Sequence, residues 1–357
     1  MPMTERSATL AEVLDELTAE GAPELTERLA NDSLRCYACG HRCLINEGKR
    51  GICKVRFNEG GRLIVPSGYV AALQCDPTEK KPFFHVLPGS DTLTFGMLGC
   101  DLHCSYCQNW VTSQALRDDA AGTRPQAVSS DRLVAMAHAY GARVVGSSYN
   151  EPLITAEWAA EVFRKAKPGG FKTAFISNGN ATPEVLDYLR PVTDCYKIDL
   201  KSMSDRNYRQ LGGVVSNILD TVRMVNERGF WEEIVTLVIP GFNSSEDELR
   251  RAAAFIASVS PDIPWHVTAF HKDYRMTDNE NTTAAQLIRA CEIGREEGLR
   301  YVYAGNLPGR VGRWENTHCH NCDALLVERY GYIIKQMRLG PDGLCPSCST
   351  RIPGVWD

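Results

Sequence analysis

No stretch of the sequence approaches the ~18 consecutive apolar residues that a membrane-spanning helix needs. A basic excess is missing as well: 39 lysines and arginines stand against 44 acidic residues, a net charge of −5. Neither a nucleic acid nor an anionic membrane is therefore an expected partner. The opening MPMTERSATLAEVLDEL has no apolar run behind a basic start, which reads against a secretory leader and makes the cytoplasm the expected location. What remains, 43% hydrophobic and 23% charged residues in 357, is the composition of a globular chain with a sizeable core.

Cysteine is in excess, with 14 residues. A disulfide framework suits small secreted domains, and nothing in this chain is small or secreted. The grouping points to metal instead. Four cysteines lie at Cys36, Cys39, Cys43 and Cys53, three at Cys100, Cys104 and Cys107, and four at Cys319, Cys322, Cys345 and Cys348. Cys75, Cys195 and Cys291 stand alone and read as small apolar core residues.

Residues 8–30 carry helical periodicity and predict two short surface helices. RLIVPSG and YVAALQC predict small strands after the first cysteine group. From residue 92 the pattern turns regular. TLTFGML, VVGSSYN, KTAFISN, CYKIDLK, EEIVTLVIP and PWHVTAFH each read as a strand followed by a helix, and YVYAGN offers a seventh strand. Consecutive β-then-α units predict a parallel sheet with right-handed crossovers. Too few units exist for eight strands, so the expected fold is α/β, a partial, open (β/α)6-type TIM barrel. The predicted organisation is a helical segment over 1–33, a Cys-rich metal-binding region over 34–90, the barrel over 91–310 and a zinc-ribbon-like module over 311–357. Chemistry in such barrels sits at the C-terminal strand ends. Cys100, Asn150–Glu151, Ser177–Asn178–Gly179, Asp199 and Lys201 all fall there and predict one pocket.

The C-x3-C-x2-C run in GMLGCDLHCSYCQNW is one ligand short of a closed site. Three thiolates on a short loop can each hold one iron of a [4Fe-4S] cube and leave the fourth open. Zinc also accepts three protein ligands in catalytic sites, usually with histidine or carboxylate among them. His103 lies within the loop but beside Cys104, where its side chain is directed away from a shared metal.

The loop, with Tyr106 as the aromatic before its last cysteine, resembles the signature of the radical SAM superfamily. That resemblance implies an open iron chelated by the amino and carboxylate groups of S-adenosylmethionine. It further implies reductive cleavage of that cofactor to a 5′-deoxyadenosyl radical, which abstracts hydrogen from a substrate. SYNEP stands where the family has its GGE-like motif, which implies cofactor binding by Asn150 and Glu151, with Asn150 in place of a glycine. SNGN resembles the ribose and carboxylate motif and gives Ser177 and Asn178. IDLK resembles the Asp-x-Lys element of glycyl-radical-enzyme activases and gives Asp199 and Lys201. Tyr106 and Ile239 would lie near the adenine. CYACGHRC, DPTEKKPFFHVLPGS, WHVTAFHKDYRMTD and the terminal cysteine module together resemble the AmmeMemoRadiSam-system radical SAM enzymes, which are pyruvate formate-lyase activase-like. The implied partners are a small-molecule or protein substrate, an electron donor such as flavodoxin or ferredoxin, and Memo-like and AMMECR-type proteins.

Cys319-x2-Cys322 and Cys345-x2-Cys348 flank a predicted hairpin and read as a closed, structural zinc site. Cys36, Cys39, Cys43 and Cys53 also close a site, for zinc or for a second iron–sulfur cluster, with His41 a weaker ligand choice. Asp76, Glu79, Lys80 and Lys81 form a charged cluster ahead of the barrel, readable as a solvated turn or as part of the site. His266 reads as a satisfied core or rim histidine, and His271 as one that can face the pocket. Asp199 and Lys201 alternate on one strand, so both can point inward. Two rival functions stand beside the leading one: a glycyl-radical-enzyme activase, and a metal-stapled scaffold that docks other proteins.

Overall fold

The computed structural model describes residues 10–121 and 123–357. Its centre is an eight-stranded sheet whose strands lie side by side in chain order, with the short strand Gln126–Ala127 leaving that order to pair with Tyr69–Val70. Strand β1 (Ala72–Pro77) runs antiparallel to β2 (Asp91–Gly96). Then β3 (Val144–Ser147), β4 (Lys172–Ser177), β5 (Cys195–Asp199), β6 (Trp231–Val238), β7 (Trp265–Ala269) and β8 (Val302–Gly305) follow in parallel register. The order ends at β1 and β8 without closing, so the barrel is partial and open.

Each parallel step is spanned by a helix: α1 (Ser130–Ala139), α2 (Ala156–Ala166), α3 (Pro183–Leu189), α4 (Val215–Glu227), α5 (Glu246–Val259) and α6 (Ala284–Glu296). Side-chain caps start several of them: Ser129 accepts from the Arg132 amide, Thr182 from Val185 and Ser245 from Glu248, while Thr283 and Gln286 form a reciprocal capping box. Helix α2 shows why the units pack. It buries Trp158, Ala159, Val162, Phe163 and Ala166 and turns Arg164 and Lys165 outward. With helices over one face and side chains filling the other, β3 and β7 are buried along their whole length.

The N-terminal region departs from the expected pair of helices. A single helix covers Leu10–Asp15, and the first two residues of the periodic stretch lie outside the described residues. Beyond it short strands alternate with single 3-10 turns at Pro23–Leu25 and Ala30–Asp32: Thr18–Glu20 pairs with Arg62–Pro66, and Thr26–Arg28 pairs with Leu34–Cys36. Gly21 and Pro23 interrupt the helical run, and two open strand edges lie within reach, so ladder pairing overrides local propensity. The sheet also reaches further back than expected. β1 lies within the segment read as the Cys-rich region, yet it is laddered onto β2 over six residue pairs.

At the other end, Thr317–His318, Leu325–Tyr330 and Ile333–Met337 form a small antiparallel sheet carrying the last four cysteines. It docks beside β8 through a buried network. His85 bonds Tyr303 at 2.6 Å and the Pro353 carbonyl at 2.6 Å, while Arg329 donates to the Phe84 carbonyl at 2.8 Å and to Thr317 at 2.8 Å. Among the described residues no helix is long and apolar enough to cross a membrane.

Candidate active site

The three-cysteine loop leaves β2 at the C-terminal rim. Gly96 permits its exit: a Cβ there would meet the Ser148 carbonyl oxygen at 2.4 Å and Tyr149 at 2.8 Å. Only glycine lets the ends of β2 and β3 approach so closely. Cys104 is buried, and Cys100 and Cys107 are half-buried, inside a collar of Leu102, Tyr106, Leu211, Ile239 and Phe270. Burial pushes the Cys100 thiol well above its usual range, with Asp101 adding to the effect, and pushes Cys104 up to about 12. Cys107 is also raised by burial, against a bond to the Ser113 hydroxyl at 3.1 Å. Thiols in so apolar a setting become thiolates when a positive metal centre compensates them. No three of these sulfurs lie within 4.8 Å of one another, a spacing too wide for one ion. A four-iron cube spreads its thiolates roughly 6 Å apart, so the loop fits a cluster.

Behind Cys100 lies a carboxylate that the sequence reading passed over. Asp101 is fully buried, accepts from Asn178 Nδ2 at 2.7 Å and Asn180 Nδ2 at 2.8 Å, and lies 3.7 Å from the Cys100 sulfur. Glu151 forms a second node. Its oxygens accept from the Ser177 hydroxyl at 2.7 Å, the Asn178 amide at 2.7 Å and the Leu153 amide at 3.0 Å. Burial, then repulsion from Asp101, lifts Glu151 to about 8. Asn150 accepts from the Met97 amide at 3.0 Å and so ties β3 to the start of the loop. Gly179, with φ of +79°, turns the chain tightly here, and a Cβ would come within 2.7 Å of Ile198.

In front of the loop opens a cavity of about 370 Å³. Cys104, Tyr106, Cys107, Asp199 and Lys201 line it, as do Lys197, Tyr149, Glu79, His266 and Tyr332. Cys100, Asn150, Glu151, Ser177, Asn178 and Ile239 do not. The rim residues thus divide into a cavity-facing set and a supporting set rather than converging on a single pocket. Asp199 bridges Lys197 and Lys201, the latter at 3.3 Å. Burial opposes its charge, but the two ammonium groups overcome that and hold the carboxyl below its usual range. Residues 197, 199 and 201 alternate in CYKIDLK, the signal that could have identified Lys197. Lys81 lies 2.6 Å from Asp76 and donates to the Tyr149 hydroxyl at 2.9 Å, placing part of the CDPTEKKP cluster at the cavity. His266 is held by Glu233 at 2.6 Å, whereas His271 is exposed and does not line the cavity. His103 is also exposed, its ring lying over Gly212.

The C-terminal cysteines differ from the loop. All four sulfurs lie within 4.8 Å of one another, with Cys319–Cys348 at 3.6 Å and Cys322–Cys345 at 3.7 Å. A single tetrahedral ion with metal–sulfur bonds of about 2.3 Å sets its sulfurs about 3.8 Å apart, so the donor set is a closed four-thiolate metal site.

The profile of the Radical SAM superfamily matches residues 95–256. The uncharacterized protein MJ0808 of Methanocaldococcus jannaschii is 34% identical over 329 residues, spanning 91% of this chain and 97% of that one. The pyruvate formate-lyase 1-activating enzyme of Escherichia coli is 27% identical over 227 residues, 60% of this chain and 90% of that protein. A solved domain of the pyruvate-formate lyase-activating enzyme from Bacteroides vulgatus aligns at 23% identity and a TM-score of 0.41, covering 45% of this chain and 98% of that domain.

Proposed function

Since the chain belongs to the radical SAM superfamily and is an enzyme of it, we propose that Cys100, Cys104 and Cys107 hold a [4Fe-4S] cluster whose open iron takes S-adenosylmethionine in the adjoining cavity. The scaffold alternative is accordingly set aside. The observation that carries the proposal is the pairing of three widely spaced, desolvated thiols with a charged cavity on the side of Cys104 and Cys107. When bound, cluster and cofactor supply a one-electron cleavage to a 5′-deoxyadenosyl radical that takes hydrogen from the substrate.

The chain's own residues arrange this. Tyr106, Asp199 and Lys201 face the cavity and are the side chains we assign to S-adenosylmethionine. Asn150, Glu151, Ser177 and Asn178 have their polar atoms committed to one another and to the loop, so we assign them the task of holding Cys100 in place. The apolar collar that includes Ile239 desolvates the cysteine loop, and Tyr106 carries that apolar wall to the cavity, where a reactive carbon radical must be kept from water. Tyr332 of the C-terminal module reaches Asn306 at 3.2 Å across the cavity rim. A cavity bounded in this way favours a small-molecule substrate. We assign zinc to the C-terminal site and a cytoplasmic setting with a flavodoxin- or ferredoxin-type donor. The order of motifs supports the AmmeMemoRadiSam subfamily, with Memo-like and AMMECR-type proteins as partners.

A second reading, activation of a glycyl-radical enzyme, is favoured by the kinship with pyruvate formate-lyase activating enzymes. Two spectra decide between these readings. Adding S-adenosylmethionine to the anaerobically reduced protein is expected to change the EPR spectrum of the loop cluster, and an unchanged spectrum contradicts the proposal. A stable glycyl doublet on a co-incubated partner protein selects the activase.

A further inference from the structure

We infer that Cys36, Cys39, Cys43 and Cys53 hold an iron–sulfur cluster, not a single metal ion, and that this cluster relays electrons to the three-cysteine loop. Among the described residues, only the C-terminal cysteines bring three or more sulfurs within 4.8 Å of one another. The N-terminal four do not, although backbone contacts draw their segments together: the Cys36 amide donates to the Cys43 carbonyl at 2.9 Å, the Arg42 amide to the Cys39 carbonyl at 3.0 Å, and Ile52, beside Cys53, to the Cys43 sulfur at 3.5 Å, with all but Cys43 buried. Four thiols on segments drawn together, yet too far apart for one tetrahedral ion, suit a cluster whose sulfides and irons fill the middle.

The Ile52 amide points at the Cys43 sulfur at 3.5 Å. Arg56 is 1% exposed; two of its nitrogens bond Glu157, each at 2.7 Å, but its Nε has no partner. A buried N–H donor with no acceptor is rare. The sulfides and thiolates of a negatively charged cluster would supply that acceptor, and hydrogen bonds to sulfur tune its potential.

His41 Nε2 lies 3.2 Å from the Asp101 carbonyl, and Arg117 bridges the Cys100 carbonyl at 2.6 Å and the Ile52 carbonyl at 2.7 Å. Gly99, next to Cys100, is so close to the other loop that a Cβ would meet Val55 at 3.1 Å and the Cys53 carbonyl at 3.3 Å. The two cysteine loops are in direct contact. On the outer side Leu44 and Ile52 are 56% and 46% exposed. Within residues 35–56, Arg42, Arg50 and Arg56 are neutralised by Glu184, Asp15 and Glu157, and the charge left to the face is that of Arg35, Lys49 and Lys54 against the single acid Glu47. Such a face complements an acidic, low-potential one-electron carrier protein. The carrier is oxidised by one electron, the N-terminal cluster is reduced by one, and the same electron passes on to the loop centre. This relay rests on the radical SAM reading; the presence of the cluster does not.

The test uses the full chain reconstituted anaerobically with iron and sulfide in two variants. In Cys100→Ala/Cys104→Ala/Cys107→Ala, about two to four irons with matching sulfide are expected to remain, beside about one zinc. Their reduced EPR signal should not respond to S-adenosylmethionine. An iron-free variant with about two zincs overturns the inference whatever becomes of the loop. In Cys39→Ala/Cys43→Ala, the S-adenosylmethionine-responsive signal is expected to survive reduction by dithionite, while reduction by flavodoxin hydroquinone slows at least about tenfold. An unchanged flavodoxin rate overturns the relay. Loss of the S-adenosylmethionine response from a folded parent protein, checked by circular dichroism, would instead count against the loop assignment.

Discussion

Asp101→Asn isolates what the buried carboxylate behind the loop does. The two oxygens of Asp101 accept from Asn178 at 2.7 Å and Asn180 at 2.8 Å. An asparagine of the same shape offers one oxygen and one NH2, so one of these contacts becomes donor against donor. Turning the Asn178 amide to repair it sacrifices the bond that its Oδ1 accepts from the Asn180 amide at 2.9 Å. Turning Asn180 sacrifices only a weak contact from Asn217 at 3.4 Å and is the cheaper repair. The charge assistance is lost in either case. One charged hydrogen bond and one strained or unsatisfied donor together amount to about 3 kcal/mol. For a chain of this size that lowers the thermal midpoint by about 5 °C. Asp101 also follows Cys100 directly, so a shift of the loop should slow S-adenosylmethionine cleavage on the order of tenfold. Differential scanning fluorimetry of the anaerobic holoprotein and a cleavage assay read the two effects. A variant that matches the parent in both would refute the argument that Asp101 fixes the loop.

Three further outcomes follow from the geometry. Gly96→Ala places a methyl group 2.4 Å from the Ser148 carbonyl oxygen, so the backbone must move; about 3 kcal/mol of stability and most of the cleavage activity should be lost, as melting and turnover would show. Removing metal from Cys319, Cys322, Cys345 and Cys348 with a chelator should unfold the terminal module while leaving the barrel's helical circular dichroism largely intact. Glu79 is lifted to about 7, chiefly by burial, against the opposing pull of Arg329. Its native state therefore holds a proton that the unfolded chain releases near pH 4.5. Stability from this group is complete below that pH and is lost as pH rises through about 7. Glu79→Gln should remove on the order of 2–3 kcal/mol of that dependence, read as a smaller drop in midpoint between pH 5 and pH 8 than in the parent.

The barrel was legible because short strands rich in β-branched and aromatic residues alternate regularly with capped amphipathic helices, a pattern local enough to read along the chain. The cysteine groups were legible through spacing alone. Spacing does not fix the distance between sulfurs, however, and the contrast between open and closed cysteine sets is visible only in three dimensions. Asp101 was missed because a lone carboxylate among ligands looks like a solvated charge until Asn178 and Asn180 are seen to fold over it. The strands Thr18–Glu20 and Thr26–Arg28 were missed for a related reason. For Thr18–Glu20 the pairing edge, Arg62–Pro66, lies more than forty residues away, and no local pattern announces it.

Formation of 5′-deoxyadenosine is the most direct measurement of whether the three-cysteine loop is a reaction centre. With iron–sulfur cluster loaded, dithionite as reductant and S-adenosylmethionine added under anaerobic conditions, the parent protein should produce it. Cys104→Ala, losing a ligand that faces the cavity, should produce none. A fully loaded parent that yields no 5′-deoxyadenosine, or a Cys104→Ala variant that yields as much as the parent, would contradict the assignment of the three-cysteine loop as the reaction centre.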